Sequence, residues 1–307
     1  MRRSFPGNST IALAILACLL WSTAFAGVKI GLRYATPLSF AGQRFMLAGL
    51  MLAPFWWGRG AAGRLLRRHL KTVLLVAFFQ TFLLYGLFYP GMTLVSGALA
   101  AIIVGASPLV AAIVAHFSMD NDAMTLPKTL SLGIGMGGVV LISVSRLPWV
   151  APTGWAEFVG IMLLLASTFA SIYGNILVAR ERHSLDPTML NSMQLFIGGL
   201  VLFGVSLPVE GAPNLALPLE YYAVLLWLAA LSAIAFSLWF ALLKRPGVVV
   251  SQLNLWKFII PVCGALFSWL VLPDESPRLV PVLGMLCIAG AIVLYHFAGR
   301  GGLRLGS

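Results

Sequence analysis

The sequence predicts an all-α integral membrane protein with ten transmembrane helices, arranged as two inverted five-helix repeats around a central cavity. The chain of 307 residues is 60% hydrophobic and only 9% charged, with a mean hydropathy of +0.96, unlike a soluble domain. Residues 72–119 contain no Asp, Glu, Lys or Arg. As one helix they would extend about 72 Å, more than twice the hydrocarbon core, so Pro90-Gly91 is predicted to divide them into two spans.

Hydropathy and helix-breaking residues place the spans along the chain. Because their number is even, both ends of the chain are predicted to lie on the same side of the membrane. The predicted spans are residues 10–30, 37–57, 72–89, 95–117, 129–146, 155–179, 188–208, 219–243, 248–272 and 279–298.

Basic residues are concentrated on one side of these spans. Fourteen Lys and Arg fall on that side, against Arg33, Arg146 and Arg278 on the other. The positive-inside rule therefore predicts cytoplasmic N- and C-termini in the inner (plasma) membrane. The same arrangement accounts for the net charge of +11 and argues against a nucleic-acid partner. The fourteen are Arg2, Arg3, Arg59, Arg64, Arg67, Arg68, Lys71, Lys128, Arg180, Arg182, Lys244, Arg245, Arg300 and Arg304.

The first span also resembles a cleavable secretory signal. Arg2-Arg3 precedes its apolar run, and Ala24-Phe25-Ala26 resembles a cleavage site. The apolar run continues to Ile30, however, and cleavage would leave nine spans and break the repeat described next. We therefore expect the first span to be retained.

The two halves of the chain repeat several short features in the same order. Because each half has five spans, an odd number, the second half must insert upside down relative to the first, which is an inverted-topology repeat. The predicted domains are residues 1–147 and 154–299, followed by a cytoplasmic tail, 300–307. The matching features are LLWST at 19–23 with LLAST at 164–168, Pro90-Gly91 with Pro246-Gly247, and Pro108 with Pro261.

The ninth predicted span carries the polar residues that are most costly to bury. Asn254, Lys257 and Pro261 are spaced i, i+3, i+7 and so share one stripe of a helix. A lysine at membrane depth costs roughly 2.5–3.5 kcal/mol on insertion scales, and Pro261 frees the backbone carbonyl of Lys257. Such a stripe should face protein or a water-filled cavity. We predict that it lines a substrate pathway.

All intramembrane charges in the prediction are basic, namely Lys29, Arg44 and Lys257, while the nine acidic residues lie in loops or near span ends. A cavity lined by these cations favours an anion or a carboxylate-bearing zwitterion. Lys29 has the alternative of reaching the membrane interface, and Arg44 that of bonding backbone carbonyls. No buried carboxylate is available as a proton carrier, and we predict neither a metal site nor a cofactor.

Uncharged polar and aromatic residues complete the predicted site. Hydroxyl side chains have helix packing as their alternative role, whereas amides are harder to leave unpaired in lipid. The predicted substrate-binding residues are Lys257, Asn254, Trp256, Gln80, Tyr85, Trp21, Arg44, Ser167, Gln194 and Trp239, and the predicted structural hinges are Pro108 and Pro261.

Several stretches together resemble EamA-type members of the drug/metabolite transporter superfamily. They are the LLWSTAFAGVKIGL opening, Arg44, the GALAAIIVGASPLVAAIVAHF and SQLNLWKFIIPVCGALFSWLVLPDE spans, and the glycine-rich fifth and tenth spans. The resemblance implies a central cavity walled by spans 1–4 and 6–9, with spans 5 and 10 peripheral, and export of amino acids and other small metabolites. The chain departs from the expected pattern at Lys257, where we expect a neutral residue.

We therefore predict a secondary transporter, not an enzyme, that exports or exchanges small metabolites such as amino acids or related carboxylate-bearing compounds by alternating access. Its partners would be this small-molecule substrate and the lipid bilayer. A monomer is expected, with a dimer as the alternative, because the GxxxG pattern of Gly133 and Gly137 favours helix packing within one chain over dimerisation.

Two alternatives belong to other classes. A flippase for a lipid or a lipid-linked metabolite would need a polar groove that opens sideways to the bilayer. An intramembrane transferase would need acid–base groups near a membrane face. The cytoplasmic loops offer only Asp120, Asp122, Glu181, His183 and Asp186 for that role.

Overall fold

All regular secondary structure is helical within the residues that the computed structural model describes, which are 8–57, 67–94, 107–118, 125–144, 155–181, 185–214, 216–260, 262–263 and 279–301. The helices are α1 (Asn8–Gly31), α2 (Pro37–Leu52), α3 (Pro54–Trp57), α4 (Leu70–Ala77), a π-helical segment (Phe78–Leu83), α5 (Leu84–Leu94), α6 (Ser107–Ser118), α7 (Leu126–Val144), α8 (Trp155–Arg180), α9 (Pro187–Glu210), α10 (Leu219–Lys244), α11 (Val250–Leu255), a 3₁₀ turn (Trp256–Phe258) and α12 (Leu279–Gly301).

Five of the helical stretches are long and apolar enough to cross a membrane. Their lengths of 20 to 26 residues match the roughly 20 that a bilayer requires. The predicted all-α class is confirmed over the described residues, and the total of ten spans stays a prediction. The five stretches are Pro37–Trp56, Leu70–Leu94, Phe158–Arg180, Pro187–Glu210 and Leu219–Lys244.

The long helices pack in pairs. α2 lies along α9, α1 along α10, and α5 along α8, while α7 packs on α12 and α6 on α11. The first three pairs are antiparallel, because the beginning of each helix contacts the end of its partner. This pairing brings α1, α2, α5 and α10 together and places the aromatic and charged side chains described below.

Glycines set the close approach of α2 and α9. A Cβ atom on Gly49 would lie 2.6 Å from the backbone nitrogen of Phe196, and one on Gly199 would lie 2.5 Å from that of Met46. Ser192 adds a hydrogen bond across the pair by donating to the Gly49 carbonyl at 2.8 Å. Small residues of this kind let helix backbones pack directly against each other, so the α2–α9 pair has little freedom to separate.

Carboxylates join helix ends at one face of the bundle. Glu210, at the end of α9, accepts hydrogen bonds from the backbone N–H groups of Leu38 and Ser39 at 2.8 and 2.9 Å, and so caps the positive end of α2. Tyr34 donates to Glu220 at 2.6 Å. That bond raises the pKa of the Tyr34 phenol above its ordinary value.

Candidate functional site

Lys257 lies against two tryptophans from other helices. Its ammonium nitrogen, Nζ, is 4.9 Å from the ring centre of Trp239 and 5.7 Å from that of Trp21, within the range of cation–π attraction. The two indoles meet edge to face, with their centroids 5.2 Å apart. We call these three residues the lysine–tryptophan site. It joins α1, α10 and the 3₁₀ turn that follows α11.

The lysine–tryptophan site contains hydrogen-bond donors that lack acceptors. The indole Nε1 atoms of Trp21 and Trp239 are buried and have no partner among the described residues. The same part of the chain supplies no acceptor for Nζ of Lys257. Because an unsatisfied buried donor costs about 1–3 kcal/mol, a ligand with acceptor atoms and negative charge would be favoured here. A carboxylate has both properties.

A row of aromatic rings extends from this site to Arg44. Trp21 contacts Phe236 with centroids 5.3 Å apart, Phe236 contacts Tyr85 at 6.5 Å, and Tyr85 contacts Phe45 at 4.3 Å. The guanidinium carbon of Arg44 lies 4.9 Å from the centre of the Phe45 ring. The structure thus connects five predicted site residues, Lys257, Trp239, Trp21, Tyr85 and Arg44, through one aromatic row.

Arg44 is held by hydroxyl groups from two other helices. It is 3% exposed, its Nε donates to the Ser232 hydroxyl at 2.9 Å, and its Nη1 donates to the Tyr89 hydroxyl at 3.3 Å. The Ser232 hydroxyl in turn donates a hydrogen bond to the Leu228 carbonyl at 2.7 Å. These bonds tie α2 to α5 and α10, so Arg44 fixes the far end of the aromatic row whether or not it also contacts cargo.

A second polar cluster lies around the π-helical segment, a type of helix irregularity that is frequent at functional sites. It contains both glutamines predicted for the substrate site, and its hydrogen bonds connect the π segment with α8, α9 and α10. Gln80 Oε1 and Asn175 Nδ2 stay without a partner among the residues described. The bonds run from Gln80 to Asn175 at 3.2 Å, from Thr81 to Gln194, from Gln194 to Asn191 at 2.9 Å, and from Asn191 to Ser237 at 2.9 Å.

The remaining predicted residues differ in their free hydrogen-bonding capacity. Asn254 is fully buried and donates to the Val250 carbonyl at 2.9 Å, while its Oδ1 has no partner within the described ranges. The Ser167 hydroxyl donates to the Leu164 carbonyl at 2.7 Å, within its own helix. Trp256 is half-buried and packs against the hydrophobic core.

Of the two predicted hinges, Pro108 lies in α6, one residue after its start. Pro261 falls outside the described residues, as does the side chain of Lys29. The hinge roles and the alternatives for Lys29 therefore remain predictions.

The sequence analysis missed Ser232 and Phe236, which support this site. Together with Trp239 they are spaced i, i+4, i+7, so they share one stripe of α10. That periodicity was available in the sequence. The sequence alone does not show that this stripe faces α1, α2 and α5.

Comparisons with known proteins identify the family. The model of the EamA-like transporter family matches residues 8–144 and again residues 158–297. An S-adenosylmethionine/S-adenosylhomocysteine transporter of Chlamydia trachomatis is 28% identical over 98% of this chain and 93% of its own. The uncharacterized transporter YoaV of Bacillus subtilis is 22% identical over 92% and 95%.

A solved crystal structure has the same fold. It superposes with a TM-score of 0.80 at 17% sequence identity and covers 97% of this chain and 99% of its own. The predicted resemblance is confirmed by the family match, which spans most of the chain. The chain belongs to the EamA-like transporter family, within the drug/metabolite transporter superfamily, and is a multi-pass membrane transporter.

Proposed function

We propose that the protein is a secondary transporter that exports or exchanges small carboxylate-bearing metabolites, such as amino acids, by alternating access. The observation that carries this proposal is the lysine–tryptophan site, where a half-buried ammonium lies against two indoles whose buried N–H groups have no partner among the described residues. A cargo carboxylate would accept hydrogen bonds from these donors and neutralise the charge. The indole faces would contact the apolar part of the cargo.

The proposed architecture is two inverted halves, residues 1–147 and 154–299, around a central cavity. The two family matches, at residues 8–144 and 158–297, each fall within one of these halves, and the antiparallel helix pairs support their inversion. By the sequence repeat, α1 corresponds to α8, α2 to α9 and α5 to α10. A two-fold axis in the membrane plane would convert the α1–α10 pair into the α8–α5 pair and the α2–α9 pair into itself, as an inverted repeat requires.

The two halves differ at the proposed cargo site. Trp21 corresponds to Ala166 in the matched LLWST and LLAST segments, and Arg44 corresponds to Leu195 in the matched triplets QRF and QLF. At these two positions the second half lacks the aromatic and the cationic side chain of the first half. This asymmetry favours a cargo that has an anionic group at one end only.

The Chlamydia relatives are named for S-adenosylmethionine and S-adenosylhomocysteine. Both compounds have an amino-acid carboxylate at one end, so they belong in the cargo panel for this protein. Counterflow in proteoliposomes, with radiolabelled amino acids and these two compounds, tests the proposal. We expect exchange of at least one carboxylate-bearing member. Exchange restricted to cargo without a carboxylate would contradict the proposed substrate class.

Both ends of the chain are expected in the cytoplasm. The basis is the fourteen-to-three distribution of basic residues. The structure supports part of this distribution. Thr72 donates to Glu181 and Lys244 donates to the Leu185 carbonyl, so these basic segments lie at the same end of the bundle. Reporter fusions to each terminus measure the orientation, and a C-terminal reporter active outside the cell would contradict it.

We expect a facilitator or exchanger driven by the gradient of its cargo. The basis is that the acidic residues lie in loops or near the ends of the predicted spans, so no carboxylate deep in the membrane is available to take up and release protons. The carboxylates of Glu210 and Glu220 lie at helix ends, in hydrogen bonds. An imposed pH gradient in proteoliposomes without counter-substrate should produce no concentrative uptake, and accumulation under those conditions would refute the expectation.

A lipid flippase remains the alternative of another class, but the described residues do not favour it. A flippase needs a polar path for the headgroup along a groove that opens to the bilayer. The lateral groove between α4 and α9 is lined by apolar side chains except for Lys71 at one end. It provides room for a lipid chain and no polar route across the membrane.

A further inference from the structure

The lateral groove between α4 and α9 has no role in the proposed transport. It runs along α4 and the π-helical segment, where these face α9, and its volume is about 680 Å³. Its wall includes Leu74, Leu75, Phe78 and Phe82 on one side and Ile197 and Val201 on the other. Leu74, Phe78 and Val201 are each 42–46% exposed, so the groove is open to the surrounding bilayer.

The groove has the depth of one membrane leaflet. From Leu70 to Phe82 the helix rises about 18 Å, at about 1.5 Å per residue. Half of a hydrocarbon core is about 15 Å thick. A groove of this length that begins at the end of a membrane span would hold one lipid acyl chain along the membrane normal.

Basic side chains lie at the end of this groove that is nearest to the membrane surface. Lys71 is part of the lining, and Arg67 and Arg68 precede it with exposed side chains. Lys71 lies in the first turn of α4 and shares a face with Leu74, Leu75 and Phe78, at i+3, i+4 and i+7, whereas Arg67 lies just before the start of the helix. The nearby Glu181 accepts a hydrogen bond from Thr72 at 3.3 Å. The same helix face therefore changes from basic at the membrane surface to apolar below it, which matches the headgroup and chain of an anionic phospholipid.

We propose that this groove is a binding site for an anionic phospholipid, with an acyl chain between α4 and α9 and the phosphate paired with Lys71 and Arg67. In the proposed orientation the site faces the cytoplasmic leaflet, whose surface is negatively charged. The proposal does not depend on the substrate class of the transporter. It concerns a lipid that stays bound and is not transported.

Occupancy of the groove would act on the π-helical segment. Phe78 and Phe82 of that segment line the groove, whereas Gln80 and Thr81 are buried on its inner side. A Cβ atom on Gly198 would lie 2.5 Å from the Cβ of Thr81, so the segment is in tight contact with α9 directly behind the groove. A bound lipid would therefore stabilise the contact between the π-helical segment and α9.

Native mass spectrometry of the full-length protein, released from detergent with added lipid, tests the site. The probes are phosphatidylglycerol and phosphatidylcholine with identical acyl chains. We expect the wild-type protein to bind phosphatidylglycerol at least about tenfold more tightly, since each basic residue near the headgroup contributes about fivefold. The double substitution Arg67→Gln and Lys71→Gln should remove that preference. Arg33→Gln removes a charge at the opposite end of the bundle and should leave it unchanged.

Val201→Trp fills the groove without altering any charge and should reduce the binding of both lipids. Thermal unfolding in lipid-free detergent establishes that each variant is folded. Equal binding of the two lipids by the wild-type protein, or an unchanged preference in the double variant, would overturn the headgroup assignment. Undiminished lipid binding by folded Val201→Trp would overturn the groove as the site. Detection of a protein dimer in place of the lipid-bound protein would also overturn it.

Discussion

Lys257→Met should reduce transport of carboxylate-bearing cargo at least about tenfold, because a hydrogen bond to a charged group contributes about 1.5–3 kcal/mol. Methionine keeps much of the apolar side chain and can remain against Trp21 and Trp239. It also removes a charge whose placement at membrane depth costs roughly 2.5–3.5 kcal/mol. The variant should therefore be at least as stable as the wild-type protein. Counterflow per mole of folded protein, with thermal unfolding measured in parallel, checks both expectations.

Lys257→Arg is the matched control for the charge. It keeps a cation that can contact the same aromatic rings, so it should retain more transport than Lys257→Met. Transport at the wild-type rate by a stable Lys257→Met protein would place Lys257 outside the cargo site.

Gly199→Val should prevent stable folding, with a loss of more than about 3 kcal/mol, above the usual range for overpacking. A Cβ atom at this position would lie 2.5 Å from the Met46 nitrogen, 2.9 Å from the Phe45 carbonyl carbon and 3.0 Å from the Gly42 oxygen. All three are backbone atoms, so a change of side-chain rotamer cannot relieve the clash. The α2–α9 pair would have to separate, and with it the helix that carries Arg44.

Gly204→Val is the control for this substitution. It lies in the same helix, and apart from its chain neighbours and the adjacent backbone of that helix no atom lies within 4 Å of a Cβ built there. Its stability should stay within about 1 kcal/mol of the wild-type value. Membrane yield and thermal unfolding in detergent compare the two variants. Equal unfolding temperatures would show that the α2–α9 contact is looser than these distances require.

Composition and charge were sufficient to predict the fold class because a bilayer imposes long apolar helices, whatever the details of packing. Sequence reasoning also selected Lys257, Trp21 and Trp239 individually, since a buried charge and large aromatic side chains stand out in apolar spans. It did not predict that they touch. That contact depends on α1 packing along α10, and hydropathy gives the depth of a residue in the membrane but not the neighbour that its helix face meets.

The same lack of pairing information explains why the predicted site divides into two clusters. Gln80 and Gln194 lie at suitable depth, but the structure places them in an amide network around the π-helical segment. Helix propensity does not predict this π-helical segment. Arg44 shows a related limit. Its hydroxyl partners, Ser232 and Tyr89, come from α10 and α5, and no local spacing in the sequence connects them.

The most direct test of the central claim is a competition experiment in proteoliposomes. Counterflow of a labelled cargo identified in the panel is inhibited by the unlabelled cargo or by its carboxamide, which has the same shape without the charge. We predict that the wild-type protein prefers the carboxylate at least about tenfold and that Lys257→Met shows little or no preference. A wild-type protein that does not distinguish the two, or a Lys257→Met protein with undiminished preference, would contradict the proposed role of the lysine–tryptophan site.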